Sequence, residues 1–416
     1  MKIKKNQLLL LTAFTFILLL IIGLISAYLI FNTDELRPPE PRVLGQKTDY
    51  WKGKYVFGFS VSESSMQEIV EQYIVIMDDQ GKIETYNRSI THAFSNINQL
   101  SKNEVYYYLR PPRGTNEEPK AVIWNYQTGN TRTILEGIDI RGHHEFLIDK
   151  GYFITMRRIE KGGLDTVVHL DPETGNETWY WSSEPLFEEK PCELCPDDDW
   201  THGNDVTISL DGKYYYVNFR NSDSFAKVDI ETKETIWIAG RNGDFKLYKN
   251  GFEKESLWYH SHVIKEIKPN VFLMFDNDFH NRTHLDSYPG TGENPFEVNY
   301  GGESRLIEIT LDETEMTGQI TWSYKPPAEY FSAIFGDIDI LPNGNILGVF
   351  GTPVHKWTAD HEQIKEPFGA ALLEINREGE LIREYRFPLG VSIYRVQELS
   401  QNSSDFLTKA WVLELD

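Results

Sequence analysis

The stretch Ile74-Val-Ile-Met-Asp78-Asp-Gln-Gly81-Lys-Ile-Glu-Thr-Tyr86 decides the fold. An apolar run of strand length meets a turn rich in Asp and Gly, and a second, alternating run leaves it for an aromatic residue. That is the pattern of a β-hairpin. The unit returns as Ala121-Val-Ile-Trp-Asn125-Tyr-Gln-Thr-Gly129, as Val167-Val-His-Leu-Asp171-Pro-Glu-Thr-Gly175-Asn-Glu-Thr-Trp179, and as Ala226-Lys-Val-Asp229-Ile-Glu-Thr-Lys-Glu-Thr-Ile-Trp237. Two more copies are anchored at Glu308, in Leu306-Ile-Glu308-Ile-Thr-Leu-Asp312 with Gly318-Gln-Ile-Thr-Trp322, and at Glu374, in Leu372-Leu-Glu374-Ile-Asn-Arg-Glu-Gly379. Further short strand-like runs, such as Lys213 to Phe219, Val271 to Phe275 and Asn345 to Val349, lie between the units. About four strands in each of six repeats predict an all-β fold, a six-bladed β-propeller. The widest gap between anchors holds Pro289-Gly-Thr-Gly-Glu-Asn-Pro295, which reads as an insertion loop.

Ahead of the repeats, Leu8 to Phe31 carries neither charge nor proline. A run of that length crosses about 30 Å of hydrocarbon as a helix. Lys2, Lys4 and Lys5 precede it, and Asp34 and Glu35 follow. Basic residues stay on the cytoplasmic side, which predicts an N-terminal transmembrane helix with the rest of the chain outside. The run is longer than a signal-peptide core and lacks a small-residue cleavage site, so an uncleaved anchor is expected. The expected organisation is a cytoplasmic tip and anchor over residues 1–31, a stalk with Pro38, Pro39 and Pro41 over 32–52, and a propeller domain over 53–416. The chain has 63 acidic against 41 basic residues, a net charge of −22. That excess excludes nucleic-acid binding, which needs a basic surface.

Cys192-Glu-Leu-Cys195 holds the only two cysteines. No second pair of ligands at zinc spacing accompanies them. Outside the cell the simplest reading is a small-loop disulfide, bracing the segment before His202.

His202 stands in Trp200-Thr-His202-Gly-Asn204-Asp205, ahead of the strand-like run from Val206. His262 closes Trp258-Tyr-His260-Ser-His262, ahead of the run from Val263. Arg282 follows Phe275-Asp-Asn277-Asp-Phe-His-Asn, and His355 ends Gly351-Thr-Pro-Val-His355. Three histidines and an arginine thus recur at equivalent ends of separate repeats. Blades set around an axis would bring them to one anion-sized pocket.

These segments, with Val217-Asn-Phe-Arg220, Ser304-Arg305-Leu-Ile-Glu308 and Tyr394-Arg395, appear in the order found in the bacterial arylsulfate sulfotransferases, which the chain resembles over roughly residues 160–400. Those enzymes move a sulfuryl group between phenols without the nucleotide donor PAPS, on a six-bladed propeller. The resemblance implies an aryl sulfate donor, a phenolic acceptor, no cofactor and no metal. It implies that His355 is transiently sulfurylated while His202, His262 and Arg282 bind the sulfuryl oxygens. The physical logic agrees: an arginine fork grips oxyanions, and a neutral imidazole is a nucleophile near neutral pH. His361 competes with His355 for the nucleophile's role, and where the bacterial enzymes carry an extra N-terminal β domain only the stretch Arg37 to Ser60 is expected ahead of the first blade.

Asn204, Arg305, Tyr330 and Phe331 are the candidate substrate-binding residues, the last two by stacking on an aryl ring. Arg220 reads equally as a salt-bridged blade residue. His143-His144, His260, His280 and His284 read as rim or solvated residues. Two other functions fit the pattern: a metal-dependent propeller hydrolase, disfavoured by a guanidinium beside a dication, and a non-catalytic, membrane-tethered binding propeller.

Overall fold

A computed structural model describes residues 37–400, except 46, 63–68, 91, 112–118, 137–143, 145, 160–162, 192–194, 196, 279–302, 353–354 and 358–362. The chain begins with β1 (Arg42–Leu44) and supplies blade one with β2 (Tyr55–Ser62), β3 (Ile69–Met77) and β4 (Ile83–Ser89). Blade two is β5 (Ala93–Ser101), β6 (Glu104–Arg110), β7 (Lys120–Asn125) and β8 (Thr131–Glu136). Blade three is β9 (Phe146–Asp149), β10 (Tyr152–Arg158), β11 (Asp165–Leu170) and β12 (Glu177–Ser182). Blade four is β13 (Gly203–Ile208), β14 (Tyr214–Phe219), β15 (Ser224–Asp229) and β16 (Thr235–Gly240). The hairpin β17 (Lys246–Lys249) and β18 (Phe252–Lys254) precedes blade five, which is β19 (Val263–Lys268), β20 (Val271–Asp276), β21 (Arg305–Asp312) and β22 (Thr317–Tyr324). β17 adds to the outer edge of that blade, parallel to β22. Blade six is β23 (Asp337–Ile340), β24 (Ile346–Phe350), β27 (Ala371–Ile375) and β28 (Leu381–Arg386), interrupted by the two-stranded sheet β25 (His355–Trp357) and β26 (Gln363–Phe368). Last, β29 (Val391–Glu398) pairs with β2 as the innermost strand of blade one. The six-bladed propeller expected from the repeats is therefore the fold, with β29 completing blade one beside β2 and closing the ring.

Burial follows position in the blade. Middle strands such as β11 and β27 are buried along their whole length, whereas the outer β4 alternates. Apolar residues from neighbouring blades meet in clusters, one at each blade interface among the described residues. Between blades four and five, for example, Phe225, Trp237, Trp258 and Phe272 pack edge to face or tilted, with Phe225 and Phe272 centroids 5.1 Å apart. Such aromatic pairs contribute about 0.5–1.5 kcal/mol each beyond simple burial.

The repeat anchors have a physical cause. The side chains of Asp78, Asn125, Asp171 and Asp229 each accept backbone N–H groups two to four residues on, folding the turn between the third and fourth strands. In blades five and six that task falls to Asp312 and Asn376, not to the anchors Glu308 and Glu374 chosen from sequence. Glu308 and Glu374 lie within β21 and β27 instead.

Within the expected stalk, Arg42–Leu44 pair with β28 at the edge of blade six, and the buried Trp51 donates its backbone N–H to Glu374. The propeller thus starts before residue 53. The expected transmembrane run, Leu8 to Phe31, lies outside the described residues; among those described, no helix is long and apolar enough to cross a membrane.

Candidate active site

Antiparallel pairing sets the start of each first strand beside the end of the second. Gly203 lies opposite Phe219, Val263 opposite Phe275, Asp337 opposite Val349 and Phe146 opposite Thr155. His144, His202, His262 and Gly336 precede the first strands, and Arg158 and Arg220 end or follow the second. All six therefore gather at one end of the ring.

Tyr394 and Arg395 mark the axis. Both belong to β29 of blade one, yet the Tyr394 hydroxyl lies 2.7 Å from His144 Nδ1 in blade three, and its ring stands edge-on to His262 of blade five at 5.0 Å. Arg395 donates to the Asn204 carbonyl and to Asp205 Oδ1, both at 2.8 Å, in blade four. A residue of blade one reaches blades three, four and five only across the centre.

His202 is held in a left-handed conformation, φ +48°, uncommon for any residue but glycine. Asp165, fully buried in blade three, clamps both neighbours: its Oδ2 accepts from Thr201 Oγ1 at 2.6 Å and from the Gly203 N–H. A Cβ on Gly203 would stand 2.1 Å from the Met156 methyl and 2.8 Å from the Asp165 carboxyl carbon, so a larger residue there would have to displace both side chains. Both ring nitrogens of His202 are engaged: Nδ1 with Asp199 Oδ2 at 2.5 Å, and Nε2 with His144 Nε2 at 3.0 Å. Arg158 donates to the same Asp199 oxygen at 3.0 Å.

His262 is differently placed. Its Nδ1–H donates to the Gly336 carbonyl at 2.7 Å, which leaves Nε2 with the lone pair. Burial holds its pKa well below the usual imidazole value, with further repulsion from Arg395 and Arg220 outweighing the bond to Gly336. The ring is neutral at physiological pH, so it accepts a proton rather than donating one. Gly336 has φ +142°, and a Cβ there would stand 2.3 Å from the Phe275 ring.

Arg220 is only 4% exposed, and among the described residues its guanidinium has no hydrogen-bond or ion-pair partner. Its backbone N–H bonds the His202 carbonyl, and its charge acts on His262. A buried cation without a counter-ion costs several kcal/mol, by order of magnitude. Such a group is suited to an incoming anion.

The remaining expected residues divide. Asn204 is fully buried, its amide donating to the Ser261 carbonyl at 3.0 Å and accepting from Asn218 at 2.7 Å, so it fixes the loop carrying His262. Arg305 supports the same loop, donating to Asp276 Oδ2 and to the Leu257 carbonyl, both at 2.8 Å. Tyr330 is buried against Phe350 and Phe368, with its hydroxyl on Glu384; Phe331 follows it, half-buried. His355 opens β25 opposite Phe368. Gly351, directly after β24, lies beside the axial strand, its carbonyl accepting from the Ile393 N–H at 3.0 Å. Arg282, His361 and Cys192 lie outside the described residues. Cys195 is buried, its sulfur 3.3 Å from the Asn221 carbonyl oxygen.

Sequence reading missed Arg158 and Asp199, took His144 for a rim or solvated residue, and left Arg220 ambiguous. A signal existed: the second strands of blades two, three and four end on Arg110, Arg158 and, one residue past β14, Arg220.

The model of the family described as Arylsulfotransferase (ASST) matches residues 42–395. No curated protein matches. Among solved structures the chain is similar to TolB from Acinetobacter baumannii, with TM-score 0.44 and 13% identity over 83% of this chain and 66% of that one. It is also similar to a putative 6-phosphogluconolactonase from Bacteroides fragilis, with TM-score 0.42 and 13% identity over 85% of this chain and 99% of that one. Likeness at that level says nothing about chemistry.

Proposed function

We propose that this chain, which belongs to the arylsulfotransferase family, moves a sulfuryl group from an aryl sulfate ester to a phenolic acceptor through a sulfurylated histidine. Arg220 carries the reading: a buried guanidinium, unpaired among the described residues, beside a neutral imidazole at the axis. The three equatorial oxygens of a sulfuryl group supply the missing negative charge, and their charge must be held as the S–O bond breaks. In this reading Arg220 and Arg282 grip those oxygens. The imidazole of His355 attacks sulfur, an N–S bond forms, and the S–O bond breaks with its electron pair leaving on the phenolate. A second phenol then attacks sulfur, the N–S pair returns to His355, and His262 Nε2 takes the phenolic proton. Arg305 and Asn204 support this by holding the loop that carries His262. No cofactor is required.

Full-length protein in detergent, given 4-nitrophenyl sulfate with and without phenol, tests the reading. Nitrophenol release that depends on phenol and yields phenyl sulfate is expected. Acceptor-independent release abolished by chelators would favour the metal-dependent hydrolase, and no turnover would favour the binding propeller.

A further inference from the structure

Phe335 precedes the first strand of blade six in a conformation that a bulky side chain seldom adopts, φ +62°. The buried Asn277 holds it there. Both N–H groups of the Asn277 amide act on this turn, one donating to the Ser332 carbonyl at 2.6 Å and one to the Phe335 carbonyl at 2.8 Å. The next residue, Gly336, also has a positive φ, +142°, and its carbonyl accepts the His262 Nδ1–H. The turn that fixes His262 is therefore the turn that aims Phe335. Backbone held in a sparsely populated region persists only where its surroundings over-determine it, and such residues gather at ligand sites.

Three rings meet at this turn. Phe335 lies 6.4 Å from His262 and 5.6 Å from Tyr394, and His262 lies 5.0 Å from Tyr394, every pair close to perpendicular. The Phe335 Cβ is seated against Gly351, where an added Cβ would stand 2.9 Å from it. Gly351 opens the segment Gly351-Thr-Pro-Val-His355. Phe335 thus adjoins the imidazole that takes the phenolic proton and the start of the segment that carries the nucleophile. It is only half-buried, whereas Tyr330, expected to stack on an aryl ring, is closed in by Phe350 and Phe368.

We infer that Phe335 determines the selectivity of the site for aromatic donors and acceptors, by packing its ring against the aryl group of the ester and then of the phenol. The inference rests on the sulfuryl-transfer reading and deepens it. A phenol whose oxygen meets His262 Nε2 carries its ring into the region that Phe335 and Tyr394 border. In a two-step exchange the departing and the accepting phenol use that place in turn, so one side chain serves both. A phenylalanine ring offers a quadrupole to another ring with no polar atom to desolvate, which an aliphatic side chain of similar size does not.

Unreactive sulfonates separate ring recognition from the chemistry, because their C–S bond offers no transferable sulfuryl group. Inhibition of 4-nitrophenyl sulfate turnover by benzenesulfonate, cyclohexanesulfonate and methanesulfonate is measured for wild type, Phe335→Leu and Phe335→Tyr. Wild type is expected to bind benzenesulfonate more tightly than cyclohexanesulfonate. Aromatic pairing beyond simple burial amounts to roughly 2- to 10-fold in binding, and Phe335→Leu should weaken benzenesulfonate by that factor relative to cyclohexanesulfonate. Methanesulfonate, which has no ring, should bind the variant as it binds wild type, and Phe335→Tyr should keep the wild-type preference. Phe335→Met replaces the leucine variant if that one does not fold. A wild type without preference for the aromatic ring, a preference that survives in Phe335→Leu, or a loss shared equally by all three sulfonates would overturn the assignment. If wild type turns over no aryl sulfate, the sulfuryl-transfer reading fails and the inference falls with it. If wild type turns over the ester and the preference survives in Phe335→Leu, that reading stands and only the role of Phe335 falls.

Discussion

Replacing Arg220 by methionine is expected to stabilise the protein and disable it. Methionine keeps most of the unbranched stem and removes the charge. The residue is 4% exposed and its guanidinium has no partner among the described residues, so the substrate-free protein bears most of its desolvation without return. Exchanging buried ionic groups for apolar ones of similar size stabilises by about 1–4 kcal/mol in comparable cases. For a domain of this size each kcal/mol raises Tm by about 1–2 °C, slightly less than in smaller domains, so Arg220→Met should melt a few degrees higher. Loss of an oxyanion donor costs about 10²–10³-fold in turnover, or about 2.7–4 kcal/mol. Inorganic sulfate provides a second readout. A ligand at 100 times its Kd adds about 2.7 kcal/mol of stability, so sulfate should raise the Tm of wild type and leave that of the variant unmoved. Differential scanning calorimetry with and without sulfate, alongside the transfer assay, measures all three quantities. An Arg220→Met protein that melts lower and transfers normally would show that Arg220 has a structural partner and no anion to hold.

Acid should destabilise the fold through its buried histidines. His169 stacks on Trp179 at 4.6 Å with its pKa lowered to about 4 by burial, and burial also holds that of His262 well below the usual imidazole value. A histidine with a depressed folded pKa binds fewer protons than in the unfolded chain between about pH 4 and 6.5, so its contribution is complete above pH 6.5 and lost as pH falls through that window. For His169 the full loss is about 3 kcal/mol, and His169→Gln should lose correspondingly less Tm than wild type between pH 7.5 and 4.5; equal losses would refute this. Cys192 and Cys195 should form one small-loop disulfide contributing at most about 2 kcal/mol, and two alkylated thiols in the intact mass of native protein would contradict it. The propeller should lie outside the membrane, so protease added to intact cells should digest or release it; full protection beside cleaved external controls would overturn that topology.

The fold was legible because a propeller writes its turns into the sequence. Asp78, Asn125, Asp171 and Asp229 are needed wherever the third strand turns into the fourth, and their recurrence counted the blades. The anchors slipped in blades five and six because Glu308 and Glu374 sit in strands with the same alternation that precedes Asp312 and Asn376. The axial site was legible in part. His202 and His262 stand just before inner strands, and that position alone aims them at the centre. His144 has the same position, two residues before β9, but its strand is only four residues long and gave little periodicity to mark it. Asp199 and Arg158 acquire meaning only through the distance to His202, which spacing along the chain does not encode. Asn204 and Arg305 were placed near the chemistry by their motifs, yet their side chains turn into the scaffold because the Ser261 and Leu257 carbonyls need donors.

Mass spectrometry of the full-length protein, mixed with 4-nitrophenyl sulfate in the absence of any acceptor and quenched at alkaline pH, tests the covalent step. One sulfuryl group should add to a peptide containing His355, disappear on adding phenol, and be absent from His355→Asn. Transfer with no protein-bound sulfuryl group at any time, or an adduct that His355→Asn retains, would contradict His355 as the nucleophile; an adduct moved to zero by His361→Asn instead would assign the step to that residue.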